Sequence, residues 1–230
     1  TYPEGLSRSA ARQLGRLGAQ VRTGTRVIGI DEHAVTVEEA GTHGAIPART
    51  VIWAAGVQAS SFGRRLAEAA GIETDRSGRI PVGADLSIAG HPEILVIGDL
   101  ALAPRPRGAV VPGVAPAAIQ EGRYAARSIR RRARGEPVTP FHYSDKGDVA
   151  TIGRLAGVAD IRPLRRLGRV SGFPAWMLWL LIHIFYLIGF ANRIVVIVRW
   201  TWSFFTHGRN TRLITEGQLL PPLEKPDPSA

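Results

Sequence analysis

The sequence contains no cysteine, and its only methionine is Met177. A chain of 230 residues without cysteine forms no disulfide and carries no thiolate ligand or redox-active thiol pair, which excludes thiol-dependent redox enzymes. The six histidines show no ligand spacing, so we predict no metal site. Because the chain starts at Thr1 without a methionine, we expect a fragment whose N-terminal part lies upstream.

No two glycines are separated by a single residue, so the Gly-x-Gly-x-x-Gly fingerprint of dinucleotide-binding folds is absent. Acidic residues are also few: 19 Asp and Glu stand against 29 Lys and Arg, and the net charge is +10. Such a charge attracts nucleic acid or the anionic lipids of a membrane surface. The arginines fall at a helix end and beside an apolar segment, without a nucleic-acid-binding motif, so we predict no nucleic-acid partner.

Some segments space their apolar residues as a helix does, and others are short β-branched runs typical of strands, which together predict an α/β protein. Helical spacing over residues 6–17 ends at Gly18. A second helix is predicted over residues 117–133, because its composition favours helix and Pro116 suits a first helical turn. Apolar and β-branched runs between and around these helices predict short strands. The predicted strands are 20–22, 26–30, 34–37, 46–53 and 94–97.

An aspartate directly follows a buried apolar run in the stretch Ile94-Leu-Val-Ile-Gly98-Asp99. A carboxylate at the end of a buried strand costs desolvation free energy unless a hydrogen-bond donor meets it. Backbone, water or a ligand can supply that donor. Taken alone, the Gly-Asp pair is most simply a turn that the aspartate caps. Within the ordered set of motifs described below, we favour a ligand.

The longest apolar run, 175–191, has 17 residues, which is at the lower limit for crossing a bilayer. The next run, 194–198, is too short to cross on its own. Tryptophans beside arginines are typical of helices that lie in the membrane interface. The residues concerned are Trp176, Trp179, Trp200, Trp202, Arg193 and Arg199. We therefore predict helices on one leaflet, with a true span or an apolar pair buried in the protein or in a homodimer as alternatives.

Six segments in a fixed order resemble the type II NADH dehydrogenases, the single-subunit NADH:quinone oxidoreductases. They are TVIWAAG at 50–56, GRIPV at 78–82, ILVIGD at 94–99, APAAIQEG at 115–122, FHYSDKG at 141–147 and the tryptophan-rich C-terminal segment. The resemblance implies a two-dinucleotide-binding-domain flavoprotein fold, truncated here, with a C-terminal helical membrane-anchoring segment. The implied division is 1–55 and 56–135 as C-terminal parts of the NADH-binding and FAD-binding domains, 136–219 as a C-terminal domain with membrane-anchoring helices, and 220–230 as a flexible tail.

The resemblance implies FAD as the cofactor and NADH as the electron donor. Asp99 would accept a hydrogen bond from a ribityl hydroxyl, and the positive end of the following helix would stabilise charge on the flavin. The implied cofactor-binding residues are Gly56, Gly98, Asp99, Ala115, Pro116, Ala117 and Ala118. Gly56 is equally explained as a plain turn at the end of a strand.

A membrane quinone is the electron acceptor that the resemblance implies. Ala115, Ala118 and Gln120 match the family signature Ala-Gln-x-Ala-x-Gln, whereas Pro116 replaces its first glutamine. Gln120 is therefore the predicted catalytic residue and quinone contact. Lys146 would hold an anionic group of the substrate near the flavin, or it belongs to a solvated turn.

The implied activity is hydride transfer from NADH to FAD and on to the quinone, in a respiratory enzyme that pumps no protons. We expect a peripheral or monotopic protein on the cytoplasmic face of the cell membrane, bound to anionic lipid. The fragment alone is expected to be inactive because it lacks both glycine fingerprints. The alternative is a peripheral membrane-binding protein that has inherited a flavoprotein fold without catalysis.

Overall fold

The computed structural model describes residues 2–56, 58–187 and 189–206. The predicted tail at 220–230 lies outside them. The chain contains both helices and strands, which confirms the α/β prediction. The chain divides into two compact units, with the boundary after Trp176. The predicted domain boundaries after residues 55 and 135 stay predictions.

The first unit begins with the predicted helix and a three-stranded meander, whose first two strands correspond to the predicted strands 26–30 and 34–37. Helix α1 is Glu4–Arg16, and the strands are β1 Thr25–Ile30, β2 Ala34–Glu39 and β3 Thr42–Pro47. All pairs are antiparallel, in the order β1-β2-β3. Ala40 and Gly41 both have positive φ, the conformation that a two-residue hairpin turn between twisted strands requires.

The strand predicted over 46–53 is wrong beyond β3, which ends at Pro47. Residues 48–56 form neither helix nor strand, and Ile52 and Trp53 are 86% and 63% exposed. A β-branched run becomes a strand only when a neighbouring strand pairs with its backbone, and no described strand pairs with this one. The strand predicted at 20–22 is absent for the same reason.

The main core lies in the middle of the chain. Its elements are α2 Ser61–Ala69, β4 Ile80–Pro81, β5 Ser87–Ile88, β6 His91–Leu95, β7 Ala101–Leu102 and α3 Ala115–Ala133. Strand β4 pairs with β7 in parallel and β5 pairs with β6 antiparallel. Ile80, Leu86 and Ile88 are almost completely buried, and Tyr124 of α3 packs into the same cluster. The helix predicted over 117–133 is confirmed.

A second antiparallel sheet follows α3. It contains β8 Asp148–Thr151, β9 Gly157–Asp160 and β10 Arg169–Ser171, in the order β10-β9-β8. Helix α1 packs against β9 and β10, and Gln13 Nε2 donates a hydrogen bond to the Gly157 carbonyl at 3.3 Å. Segments far apart in sequence therefore share this part of the unit.

The apolar C-terminal part of the described chain forms two helices. Helix α4 is Phe173–Tyr186 and α5 is Phe190–Thr206, so the continuous run predicted at 175–191 is interrupted. Gly189 has φ +81°, a conformation that ends a helix. The Arg193 side chain donates to the carbonyls of Leu187 and Phe185, which α4 leaves free at its end. Among the described residues, no helix combines the length and apolar character needed to span a membrane.

Candidate functional site at the start of the long helix

The Gly-Asp pair lies in a tight turn, not at the end of a regular strand. Strand β6 ends at Leu95, Ile97 is extended, and Gly98–Leu100 form one 3₁₀ turn. Gly98 has φ +70°, which a side chain would strain, and a Cβ there would lie 3.7 Å from the Cβ of Ala118. The positive φ, and not a steric clash with α3, is therefore what favours glycine in this turn.

Asp99 is exposed beside the same helix start. None of the described residues donates a hydrogen bond to its carboxylate, so Asp99 does not cap the turn within this part of the chain. A Cβ added to Gly113 would lie 3.6 Å from Asp99 Oδ1. The absence of a side chain at Gly113 therefore keeps space open next to the carboxylate.

The start of α3 has no side-chain cap. Val114 is the N-cap residue, and its carbonyl accepts the N–H groups of Ala117 and Ala118. Pro116 has no N–H, so it leaves no donor unsatisfied. Ala115 and Pro116 are exposed, Ala118 is half-buried and Ala117 is buried. The partial positive charge of the helix end is consequently not offset by a capping side chain.

Glu121, which the sequence analysis did not single out, completes this cluster. Its side chain is on the buried face of α3 and the residue is only 2% exposed. Glu121 Oε2 accepts the Gly98 N–H at 2.5 Å. Burial raises the pKa of Glu121, the Gly98 hydrogen bond opposes this, and the charge of Asp99 raises it further. An acidic residue at a core-facing position of a predicted helix is the sequence signal that would have indicated this residue.

Gln120 lies one turn into α3 and bonds to a distant segment. Its amide nitrogen donates to the Ser144 carbonyl at 3.0 Å, and its amide oxygen accepts the Ser144 N–H at 2.9 Å. The amide nitrogen also donates to the Pro116 carbonyl at 3.0 Å. Both ends of the side chain are thus engaged in holding the segment around Ser144 against α3.

The other two predicted positions near the cofactor are exposed and apart from this cluster of contacts. A Cβ on Gly56 would meet no described atom within 4 Å, and its φ of +114° fits the alternative of a plain turn. Lys146 is exposed in a turn where Asp145 Oδ1 accepts the Gly147 N–H at 3.0 Å. Arg162 forms ion pairs with Asp145 and Asp148 in the same turn.

The predicted membrane residues divide between the two units. In the first, Trp176 stacks with Phe173 at a ring distance of 5.9 Å. In the second, Trp179 stacks on His183 at 3.9 Å and on Trp200 at 5.9 Å, which joins α4 to α5. Arg193 is half-buried in the first turn of α5, and Arg199 is exposed further along the same helix.

Large apolar side chains remain exposed along the second unit. Trp202 and Phe205 are 67% and 74% exposed on α5, and Leu181 and Phe185 are exposed on α4. Soluble monomers seldom present so many neighbouring apolar side chains to water. The exposed apolar surface of this helix pair is therefore typical of a surface that contacts a membrane or another protein.

A family model described as pyridine nucleotide-disulphide oxidoreductase matches residues 1–122. The chain belongs to this family. Within it, the resemblance to the type II enzymes is confirmed by two relatives from Mycobacterium tuberculosis. Type II NADH:quinone oxidoreductase Ndh is 41% identical over 93% of this chain and 45% of its own length. Type II NADH:quinone oxidoreductase NdhA is 38% identical over 91% of this chain and 44% of its own length.

A solved structure shows the same fold. NDH2 from Plasmodium falciparum in complex with NADH superposes with a TM-score of 0.76, at 14% identity, over 89% of this chain and 55% of that one. The chain spans about half the length of the curated relatives it matches.

Proposed function

We propose that the chain is the C-terminal half of an FAD-dependent NADH:quinone oxidoreductase. FAD, when bound, supplies a two-electron carrier that takes hydride from NADH and passes electrons to a membrane quinone. The family membership and the names of the relatives support this activity. The fragment itself is inactive in this proposal, because the glycine fingerprints for both nucleotides are absent from it.

The observation that carries the proposal is the small-residue cradle formed by Gly98, Gly113 and the uncapped start of α3 around the Asp99 carboxylate. A Cβ at Gly113 would fill the space beside Asp99 Oδ1. The donor set also suits a flavin nucleotide, since an exposed carboxylate accepts hydroxyl hydrogens and a helix start favours negative charge. The residues present therefore fit the group.

Each residue has a proposed task. Asp99 accepts a hydrogen bond from a ribityl hydroxyl, and Gly98 allows the backbone conformation of the turn beside α3. Ala115, with the dipole of α3, stabilises negative charge on the flavin. Glu121 fixes the turn from behind through the Gly98 N–H.

Two further positions form the proposed substrate side, and a third belongs to the cofactor. Gln120 contacts the quinone from a position that its hydrogen bonds to Ser144 hold fixed. Lys146 holds an anionic group of the substrate. Gly56 stays a candidate for close approach to the cofactor.

The test is Asp99→Asn in the full-length enzyme. The amide keeps the shape of the side chain and removes its charge, and a hydrogen bond to a charged group is worth about 1.5–3 kcal/mol. Because the Asn amide oxygen still accepts a neutral hydrogen bond worth about 0.5–1.5 kcal/mol, the net loss is about 1–1.5 kcal/mol. We therefore expect FAD to bind about 5- to 10-fold more weakly, measured by flavin fluorescence titration of the apo protein. Glu32→Gln, at an exposed acidic residue, is the matched control. Unchanged FAD affinity in Asp99→Asn would contradict the proposed role of the cradle.

We also propose that α4 and α5 anchor the protein as a peripheral or monotopic protein on the cytoplasmic face of the cell membrane. The exposed apolar side chains of both helices support this, and Arg193 and Arg199 suit contact with lipid phosphates. A homodimer through the same helices is the competing arrangement. The alternative function, membrane binding without catalysis, rests on the helix pair alone.

Paired variants in liposome flotation test the anchor. Trp202→Ala with Phe205→Ala removes two exposed rings from α5, whereas Trp53→Ala with Phe62→Ala removes two similarly exposed rings from the first unit. Burying one such ring stabilises by about 1.5–3 kcal/mol, so we expect the first pair to float at least about tenfold less and the second pair to float normally. Equal flotation of both pairs would count against the anchor, and a dimer that dissociates only in the first pair would favour the homodimer.

A further inference from the structure

A groove lies along α3 from Gln120 to Arg131. It has a volume of about 400 Å³ and separates α3 from the segment 138–142. None of its chemistry is used by the proposed function, apart from Gln120 at one end.

The floor of the groove is apolar and held in place. Tyr124 is buried, and its hydroxyl donates to the Thr139 carbonyl at 2.6 Å. The ring of Phe141 meets the Tyr124 ring edge-on at 5.4 Å. These contacts fix segment 138–142 against α3, so the groove is formed before any ligand arrives.

Three arginines form one wall. Arg123, Arg127 and Arg131 are four residues apart, which places them on one face of α3 at intervals of about 6 Å. Like charges at this spacing destabilise a helix. The arrangement carries this cost in the absence of an anion.

The described chain leaves two of these three arginines without a partner. Among the described residues, Arg123 and Arg127 have neither a hydrogen bond nor an ion pair. Arg131 Nε is buried without a hydrogen-bond partner, and it forms an ion pair with Glu136 at 3.5 Å. By contrast, Arg132 of the same helix pairs with Asp85 at 2.9 Å. Arg123 and Arg127 therefore present positive charge on the groove wall that no described carboxylate neutralises.

We propose that this groove binds a phosphate-bearing anion through Arg123, Arg127 and Arg131. A guanidinium group binds phosphate oxygens through two parallel hydrogen bonds. A row of such groups therefore suits a ligand whose phosphate oxygens can bond to more than one arginine. The Tyr124 and Phe141 rings offer an apolar surface to the uncharged part of such a ligand. The phosphate belongs either to an anionic lipid headgroup or to a free phosphate compound.

Two arms of one binding experiment distinguish these sources. The first titrates inorganic pyrophosphate into the full chain by calorimetry, and the second measures flotation on phosphatidylglycerol vesicles relative to phosphatidylcholine vesicles. Arg123→Gln with Arg127→Gln is the test variant. Arg130→Gln with Arg134→Gln is the control, because it removes the same charge from the last turn and the C-cap of α3, outside the groove.

We expect the test variant to lose at least about tenfold in affinity in one arm while the control loses less than about twofold. Loss in the pyrophosphate arm assigns the groove to a free phosphate compound. Loss confined to phosphatidylglycerol vesicles assigns it to a lipid headgroup. No binding in either arm, or equal losses in both variants, overturns the proposal. Circular dichroism of each variant confirms that the helices are intact.

Discussion

Glu121 gives the sharpest test of how the turn before α3 is held. Its carboxylate is buried and accepts the Gly98 N–H at 2.5 Å. Glu121→Leu removes the acceptor, and leaving such a donor unpaired costs about 1–3 kcal/mol. A chain of this size loses about 2–4 °C in melting temperature per kcal/mol, so we expect a decrease of about 4–8 °C for a cost near 2 kcal/mol.

Glu121→Gln keeps the acceptor and removes the charge, and it separates the two effects. The pKa of Glu121 is raised by burial, with Asp99 adding to the rise. A raised carboxyl pKa means that the folded chain holds the proton more tightly than the unfolded chain. The stabilisation is therefore complete at pH values below the unfolded pKa and disappears as the pH rises through the folded pKa.

The assay is thermal unfolding followed by circular dichroism across a pH series. We expect the wild-type chain to lose stability relative to Glu121→Gln as the pH rises above the ordinary glutamate range, and Glu121→Leu to be less stable than Glu121→Gln throughout. Parallel pH profiles for wild type and Glu121→Gln would refute the assignment of a raised pKa. Equal melting temperatures for the Leu and Gln variants would refute the importance of the Gly98 hydrogen bond.

Two further variants test how the segment after α3 is held. Gln120→Leu removes both hydrogen bonds to Ser144, each worth about 0.5–1.5 kcal/mol. We therefore expect faster limited proteolysis of the segment around Ser144. An unchanged cleavage rate would contradict this. Gly147→Ala would place a Cβ 1.8 Å from the Asp160 carbonyl oxygen, in a residue whose φ is +96°. A left-handed backbone alone costs about 1–2 kcal/mol in a residue with a side chain, so we expect this variant to lose more stability than that. The control Gly41→Ala has positive φ and no atom within 4 Å, and equal melting temperatures for the two glycine variants would show that the clash is relieved.

Local signals predicted the elements that stabilise themselves locally. Helices α1 and α3 follow from apolar spacing and from a glycine or proline at their ends, and these signals act within a few residues. The β1–β2 hairpin is similar, because its strands are close neighbours in sequence. The 46–53 run is different: its β-branched residues need a partner strand, and the described chain provides none.

The sequence by itself determined the family motifs, the excess of positive charge and the apolar C-terminal helices, because these are properties of composition and order. Only the tertiary structure decided that Asp99 stands exposed beside Gly113, that Glu121 supports Gly98 from the buried side, and that Gln120 bonds to Ser144. It also decided which arginines of α3 are neutralised, since Asp85 reaches Arg132 from 47 positions away in the chain. Such pairings depend on backbone packing between distant segments, and no local pattern of residues encodes them.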